Sequence, residues 1–292
     1  MGLPVPPITL ALALTLLAVT PVSFVAARRG GRFRGLPGWV GFWGFFAPLL
    51  VLLSRAHRSI SVPLLGALMF AALREYFFLA PLRPRDRWAI LLTYVSIPLA
   101  LYPAFQSSGN WFLVVVPVVL LVFLPVLLAV GSPQAGLLES AGRLLVGGIA
   151  FVFCAAYLGL MVRGFRHGEI ELFGVLVLAA EVPQRLAGRV KSGEVLARPL
   201  FGVLAGAGLA AALGAFLGPL GGISSRQGAV AGLLLAAGTA AGALLADAVA
   251  QDLNLGASTS RVGRGAFLDR TFPVVYAAPA FFHYVTYSMA SQ

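Results

Sequence analysis

The sequence predicts an all-α, polytopic integral membrane protein with nine or ten transmembrane helices. Of its 292 residues, 59% are hydrophobic and 11% are charged, whereas a soluble domain is about half apolar and a quarter charged. The mean hydropathy is +0.92. Because one transmembrane helix uses about 20 apolar residues, nine helices would use about 180 positions and leave little room for a soluble domain. This composition excludes a soluble enzyme, a secreted disulfide scaffold and a DNA-binding module.

Ten apolar segments, separated by clusters of Arg, Gly or Pro, each predict one helix. The second and third are short, which allows them to be tilted, re-entrant or packed inside the bundle, and the last is interrupted by Pro279 and His283. The alternating segments of a transmembrane β-barrel do not occur. The predicted segments are 8–27, 38–53, 60–74, 88–105, 111–130, 142–162, 170–186, 199–220, 228–251 and 272–289.

The chain is predicted to form one integral membrane unit, with N-terminal helices in residues 1–110 and C-terminal helices carrying the functional site in 111–292. Residues 1–27 could alternatively be a signal peptide. However, no Lys or Arg precedes the apolar stretch, and a basic cluster at 28–34 follows it, so we expect a retained first helix. That order places the N-terminus outside and the first loop inside.

The distribution of basic residues supports this orientation, because loops on the cytoplasmic side are enriched in Lys and Arg. Alternating from an inside first loop puts 15 basic residues inside and 5 outside, so the net charge of +11 is a topology signal that also attracts anionic headgroups, not a sign of nucleic-acid binding. We therefore predict a multi-pass protein of the inner (plasma) membrane. The inside set is Arg28, Arg29, Arg32, Arg34, Arg83, Arg85, Arg87, Arg143, Arg185, Arg189, Lys191, Arg198, Arg261, Arg264 and Arg270; the outside set is Arg55, Arg58, Arg163, Arg166 and Arg226.

Acidic residues within apolar segments are the first candidates for a site, because charge at membrane depth is costly. Glu181 and Asp247 lie near the inside ends of the seventh and ninth segments, so we expect them to meet Asp269 in one cytoplasmic-facing cavity. An alternative is that each acid only pairs with a loop arginine, and that Glu75 is neutralised by the adjacent Arg74. The single cysteine excludes an intramolecular disulfide and a cysteine-based metal site.

A glycine- and arginine-rich segment at 256–270 is the second candidate. Gly263 and Gly265 allow backbone N–H groups to approach a phosphate, and Arg264 and Arg270 can add bidentate contacts. Asp269 could hold a divalent cation bound to that phosphate. The alternative is a flexible, basic connector near lipid headgroups.

The same segment resembles the C-terminal signature of the phosphatidate cytidylyltransferase (CDP-diglyceride synthetase) family. Residues 262–270 (VGRGAFLDR) and 276–283 (YAAPAFFH) are similar to the family's Pro-Gly-His-Gly-Gly-x-x-Asp-Arg-x-Asp and Ala-Ala-Pro-Val-Phe-Phe. Residues 181–189 (EVPQRLAGR) resemble Asp-Val-x-Gln-Tyr-x-x-Gly-Lys, and 72–77 (ALREYF), with the polar loop 81–87 that follows, resembles one bacterial branch. Asp247 matches an upstream Gly-Asp. The motifs occur in the family's order over about 70–292.

Several positions depart from the family pattern. Glu181 replaces an Asp, Arg264 replaces the His of the glycine loop, and Phe272 replaces the last Asp of the signature. The family's Lys-Thr pair is missing near 196–202, and its Lys-Asp pair is missing from a shortened 253–261, where Asp252 is the nearest acid available as a substitute. At least two ligands of the family's metal centre would therefore be absent.

The resemblance implies a nucleotidyltransferase that makes CDP-diacylglycerol and pyrophosphate from CTP and phosphatidic acid, with Mg²⁺ as cofactor, and it suggests a homodimer. Its implied metal ligands are Glu181, Asp247 and Asp269, with Asp247, Asp269 and Arg270 in catalysis. Substrate phosphates would contact Gly263, Arg264, Gly265, Gln184 and Arg189. The departures favour an alternative: a catalytically degenerate relative that binds lipid or nucleotide in the membrane.

Overall fold

A computed structural model describes residues 7–28, 36–80, 82–105, 112–131, 136–164, 167–187, 197–255 and 266–290. These ranges contain ten long helices and two short 3-10 turns, Pro84–Asp86 and Gly218–Gly221. Two helices include a π-helical segment, Val119–Phe123 in α5 and Ile149–Cys154 in α6. The helices are α1 Pro7–Arg28, α2 Leu36–Arg55, α3 Arg58–Leu79, α4 Arg87–Phe105, α5 112–131, α6 137–164, α7 His167–Ala187, α8 Ala197–Leu217, α9 Ser225–Asp252 and α10 Ala266–Ala290.

The predicted all-α, polytopic membrane fold is confirmed, and each of the ten predicted segments overlaps one helix. Six helices in the described part of the chain are long and apolar enough to cross a membrane: α2, α3, α5, α6, α8 and α9. In α7, four charged residues lie between Glu169 and Arg185, so it falls short of that criterion. Membrane crossing by α1, α4, α7 and α10 stays a prediction.

Helix α7 is the central helix of the bundle. Every residue from Ile170 to Glu181 is buried, because α1, α2, α8, α9 and α10 all pack against it. Its two ends carry separate polar clusters, one at Glu171 and one at Arg185, about 21 Å apart at 1.5 Å per helical residue. We refer to them as the Glu171 end and the Arg185 end of the bundle.

Small residues let α8, α9 and α10 approach closely, as is common between membrane helices. A Cβ atom added at Gly228 would overlap the backbone of Gly214, and one added at Gly232 would overlap that of Ala210. A Cβ at Gly242 would likewise collide with the carbonyl oxygen of Phe272 in α10. These contacts pack α9 closely against α8 and α10 and so help to determine where the polar residues of α9 and α10 lie.

Candidate functional site

An ion pair between Arg185 and Asp269 joins the last turns of α7 to the first turn of α10. Nη1 of Arg185 donates to both carboxylate oxygens of Asp269, each at 2.9 Å, and Nη2 donates to the backbone carbonyl of Asp269 at 2.8 Å. The Arg185 side chain is 15% exposed and that of Asp269 is 39% exposed. The pair is therefore accessible from the Arg185 end of the bundle.

Charged residues from two further helices surround this ion pair. Asp247 of α9 is exposed and interacts electrostatically with Asp269 and Arg185. Arg270 of α10 interacts in the same way with Asp269, with Arg185 and with Glu75 of α3. Residues separated by up to 195 positions are thus brought to one place. We call this set the Arg185 cluster; it consists of Glu75, Glu181, Arg185, Asp247, Asp269 and Arg270.

Glu181 is the buried member of the Arg185 cluster, with 1% of its surface exposed. Its Oε2 accepts hydrogen bonds from the indole Nε1 of Trp39 at 2.6 Å and of Trp43 at 3.0 Å. Among the described residues, no donor lies within hydrogen-bond distance of its Oε1. The sequence analysis did not identify the two tryptophans, although their spacing of four residues puts both on one face of α2.

The predicted substrate-binding residue Gln184 contacts α9. Its Nε2 donates to the carbonyl of Ala236 at 3.3 Å and to Oγ1 of the buried Thr239 at 3.2 Å. Both contacts hold α7 against α9, and the substrate role of Gln184 stays a prediction. Arg189, Gly263, Arg264 and Gly265 lie outside the described residues.

The carboxylates do not fit a magnesium ion in this arrangement. Both oxygens of Asp269 accept from Arg185, and Oε2 of Glu181 accepts from two indoles. In the part of the chain that the structure describes, no three His, Cys, Asp or Glu side chains are grouped to hold a metal. Mg²⁺ ligation by Glu181, Asp247 and Asp269 stays a prediction.

Hydrogen bonds among α3, α6 and the turn Pro84–Asp86 extend the Arg185 end. Tyr76 donates its hydroxyl proton to the carbonyl of Arg143 at 2.8 Å, and Ser140 donates to Asp86 at 2.7 Å. Tyr76 also interacts electrostatically with Asp252 of α9. Segments that the sequence predicts to lie inside, around 83–87, 143 and 252, therefore share one end of the bundle.

A second polar network, which the sequence analysis missed, occupies the Glu171 end. Glu171 is fully buried, and its Oε1 accepts from Nε and Nη2 of Arg55 at 3.1 and 2.8 Å. Thr9 donates to its Oε2 and Ser54 to its Oε1. Arg55 of the predicted outside set and Arg185 of the predicted inside set therefore lie at opposite ends of α7.

No family model and no curated protein matches this chain.

Proposed function

We propose that the chain is a membrane nucleotidyltransferase that makes CDP-diacylglycerol and pyrophosphate from CTP and phosphatidic acid. The proposal combines the motif resemblance with one structural observation. Members of four separate motifs, carried by α3, α7, α9 and α10, interact in the Arg185 cluster. Motifs that are spread along a sequence can act together only if they meet in space, and the described members of these four motifs interact, which supports the proposal.

In the proposed reaction, a phosphate oxygen of phosphatidic acid attacks the α-phosphorus of CTP. A new P–O bond forms, the bond from that phosphorus to the bridging oxygen of the β-phosphate breaks, and pyrophosphate leaves with the electron pair. Such transfers are catalysed mainly by positioning and by stabilisation of charge on the phosphoryl oxygens. Arg270, with Arg264 and the Gly263 and Gly265 amides, would supply that positive potential.

Mg²⁺ dependence is part of the proposal. If Mg²⁺ binds, Asp269 and Asp247 would hold it, and the ion would supply positive charge at the substrate phosphates. Arg185, beside Asp269, has the bidentate geometry that matches a phosphate.

The second candidate function is that of a catalytically degenerate relative that binds lipid or nucleotide without transfer. The observation that favours it is the same ion pair, because the Arg185 guanidinium already neutralises the Asp269 charge that would attract a cation. The motif departures at Glu181, Arg264 and Phe272 point in the same direction.

Formation of CDP-diacylglycerol by the purified protein separates the two candidates. The assay contains phosphatidic acid and radiolabelled CTP, with Mg²⁺ or with EDTA. We expect Mg²⁺-dependent product from the wild type and a loss of about two to three decades in rate for Asp269→Asn, which removes one charge at nearly constant shape. Glu139→Gln, an exposed carboxylate of α6 outside the Arg185 cluster, is the matched control and should keep full activity.

Wild-type protein that forms no product, while still binding phosphatidic acid or CTP, would support the degenerate relative instead. Activity that survives Asp269→Asn would refute the assignment of the Arg185 cluster as the site.

We also propose that the Arg185 end faces the cytoplasm, as the basic-residue count predicts. The single cysteine, Cys154, is buried, so Cys154→Ala provides a background for labelling. Gln251→Cys and Ser225→Cys place exposed thiols near the two ends of α9. A membrane-impermeant maleimide should label the first only in inside-out vesicles and the second only in right-side-out vesicles; the reverse pattern would overturn the orientation.

A further inference from the structure

One position of the Arg185 cluster departs from the family motif in a way that adds a charge. In the resemblance of residues 181–189 to Asp-Val-x-Gln-Tyr-x-x-Gly-Lys, Arg185 stands at the position of the Tyr. Arg270, in contrast, matches the Arg of the C-terminal signature. The chain therefore combines an additional cation at this position with the loss of at least two expected metal ligands.

The guanidinium of Arg185 makes the contacts that a bound cation would make. It donates two hydrogen bonds to the carboxylate of Asp269 and one to the backbone carbonyl of Asp269, at 2.8 to 2.9 Å. Carboxylate and carbonyl oxygens are also the ligands that Mg²⁺ and Ca²⁺ prefer. The guanidinium thus supplies positive charge at oxygens of the kind that bind a metal ion.

Two further acids share the same guanidinium. Glu181 lies one helical turn before Arg185 on α7, and an acid four residues ahead of a base is the favourable order for an ion pair in a helix. Asp247 of α9 interacts electrostatically with both Arg185 and Asp269. One cation therefore interacts with acids from three helices: α7, α9 and α10.

An arginine suits this arrangement better than a single metal ion. In the described ranges of the chain, no three acidic side chains are grouped closely enough to hold one ion. A guanidinium is planar and always charged, and it carries N–H groups on three nitrogen atoms, so it interacts with acids on several sides at once. Arg185 also compensates for the burial of Glu181, which is 1% exposed and would be costly beside Asp269 without a cation.

We propose that Arg185 is a built-in cation that replaces a bound metal ion at this cluster in the protein without substrate. The guanidinium partly neutralises Asp269, Asp247 and Glu181 and so keeps the three acids together. A second cation is repelled by Arg185 and gains little from acids that are already compensated. The inference goes beyond the proposed function, because it concerns the substrate-free protein, whether or not CTP brings Mg²⁺ to the cluster during turnover.

Binding of Tb³⁺, a hard cation that binds oxygen ligands as Ca²⁺ does, tests this proposal on the full chain in an uncharged detergent. Trp39 and Trp43 donate to Glu181, so excitation of tryptophan sensitises the emission of a Tb³⁺ ion bound at the cluster. We expect little sensitised emission from the wild type. Arg185→Gln should produce it at a Tb³⁺ concentration at least about tenfold lower, because the repelling charge is removed and the acids remain.

Three further variants test whether the charge of Arg185 causes the effect. Arg185→Lys keeps the charge and should behave like the wild type. Arg185→Gln combined with Asp269→Asn removes one of the acids as well and should lose most of the gain. Arg143→Gln removes an arginine at the same end of the bundle, paired with the exposed Glu139, and should leave the emission unchanged.

Equal Tb³⁺ binding by the wild type and Arg185→Gln would overturn the built-in cation, and so would a gain that survives Asp269→Asn. A measurement on the wild type covers the case in which Arg185→Gln does not fold. Without nucleotide, the melting temperature of the wild type should be the same in EDTA and in Mg²⁺, because an ion that does not bind the folded state does not stabilise it. Stabilisation of the wild type by Mg²⁺ alone would overturn the proposal.

The outcome is separable from that of the proposed function, because neither measurement contains CTP or phosphatidic acid. Weak cation binding by a wild type that forms no CDP-diacylglycerol would refute the transferase and keep the built-in cation. Product formation by a wild type that binds Tb³⁺ as tightly as Arg185→Gln does would refute the built-in cation and keep the transferase.

Discussion

Glu171 and Glu181 lie ten residues apart on α7, and both are buried, yet their surroundings differ in kind. Glu171 is paired with the guanidinium of Arg55 and accepts from two hydroxyl groups, so both of its oxygens are satisfied. Glu181 accepts from two neutral indoles on one oxygen, and its other oxygen has no donor among the described residues. Among the described residues, Glu171 therefore has donors for both carboxylate oxygens, whereas Glu181 has donors for only one.

The difference indicates separate roles for the two ends of the bundle. A buried carboxylate with a cationic partner and filled oxygens is well suited to holding helices together, here α1, α2 and α7. A buried carboxylate such as Glu181, one oxygen of which has no donor among the described residues, is costly for folding alone. We therefore propose a structural role for the Glu171 end and a functional role for the Arg185 end.

The largest expected effect on stability follows from removing the cation at the Glu171 end. Arg55→Met leaves Glu171 buried with hydroxyl donors only, and breaking such a pair is strongly destabilising. Because the Arg55 side chain is 38% exposed, we expect a loss of about 2–3 kcal/mol, at or below the low end for fully buried pairs. The measurement is the free energy of unfolding in mixed micelles, followed by circular dichroism.

Arg226→Met is the control for this measurement, since Arg226 is an exposed arginine at the start of α9, at the same end of the bundle. Its effect should stay within about 0.5 kcal/mol. Equal effects of the two substitutions would mean that Glu171 does not need its cation.

A smaller effect is expected from the indole donors at the other end of α7. Trp39→Phe removes the shorter of the two hydrogen bonds to Glu181, and a bond to a charged acceptor contributes about 1.5–3 kcal/mol. Since Trp43 still donates, we expect a loss of about 1.5 kcal/mol for Trp39→Phe and a smaller one for Trp43→Phe. If neither substitution changes the unfolding free energy, the indoles do not stabilise Glu181.

The smallest effect on the free energy of unfolding is expected for an exposed ion pair. Glu139 and Arg143 of α6 form an i,i+4 pair at 2.7 Å, and the Glu139 side chain is 59% exposed. Glu139→Gln should cost about 0.3–0.5 kcal/mol in the same unfolding measurement. A loss as large as that of Arg55→Met would remove the distinction between buried and exposed pairs on which the comparison rests.

The sequence predicted the helices better than their ends. The predicted third segment stops at residue 74, before Glu75, but α3 continues to Leu79 because Glu75 lies within the Arg185 cluster. The predicted last segment begins at 272, but α10 begins at Ala266 and includes Asp269 and Arg270. A charged residue marks the end of an apolar segment in the sequence. In the bundle, however, the helix extends past that residue, because the charged side chain interacts with groups on other helices.

The site was predictable only in part. Acids in apolar segments pointed to Glu181 and Asp247, and the glycine-rich segment pointed to Asp269; Asp269 interacts electrostatically with both of the others. The alternative that an acid pairs with a loop arginine applies to Asp269, which pairs with Arg185. The pairing of Glu171 with Arg55, which joins residues 116 positions apart, was not predicted. Periodicity and composition describe one helix at a time, so they do not show which helices pack together.

The central claim is that the two buried glutamates of α7 have different roles, and one paired measurement tests it most directly. Glu171→Gln and Glu181→Gln are compared for unfolding free energy and for CDP-diacylglycerol formation from CTP and phosphatidic acid. We expect Glu171→Gln to lose about 1–2 kcal/mol of stability with its turnover intact, because its charged hydrogen bonds weaken. Glu181→Gln should keep its stability, since relief from burying a charge without a cationic hydrogen-bond partner offsets the weaker bonds from the two indoles, and should lose at least about tenfold in turnover. The opposite pattern, with Glu181→Gln unstable but active and Glu171→Gln stable but inactive, would contradict the account.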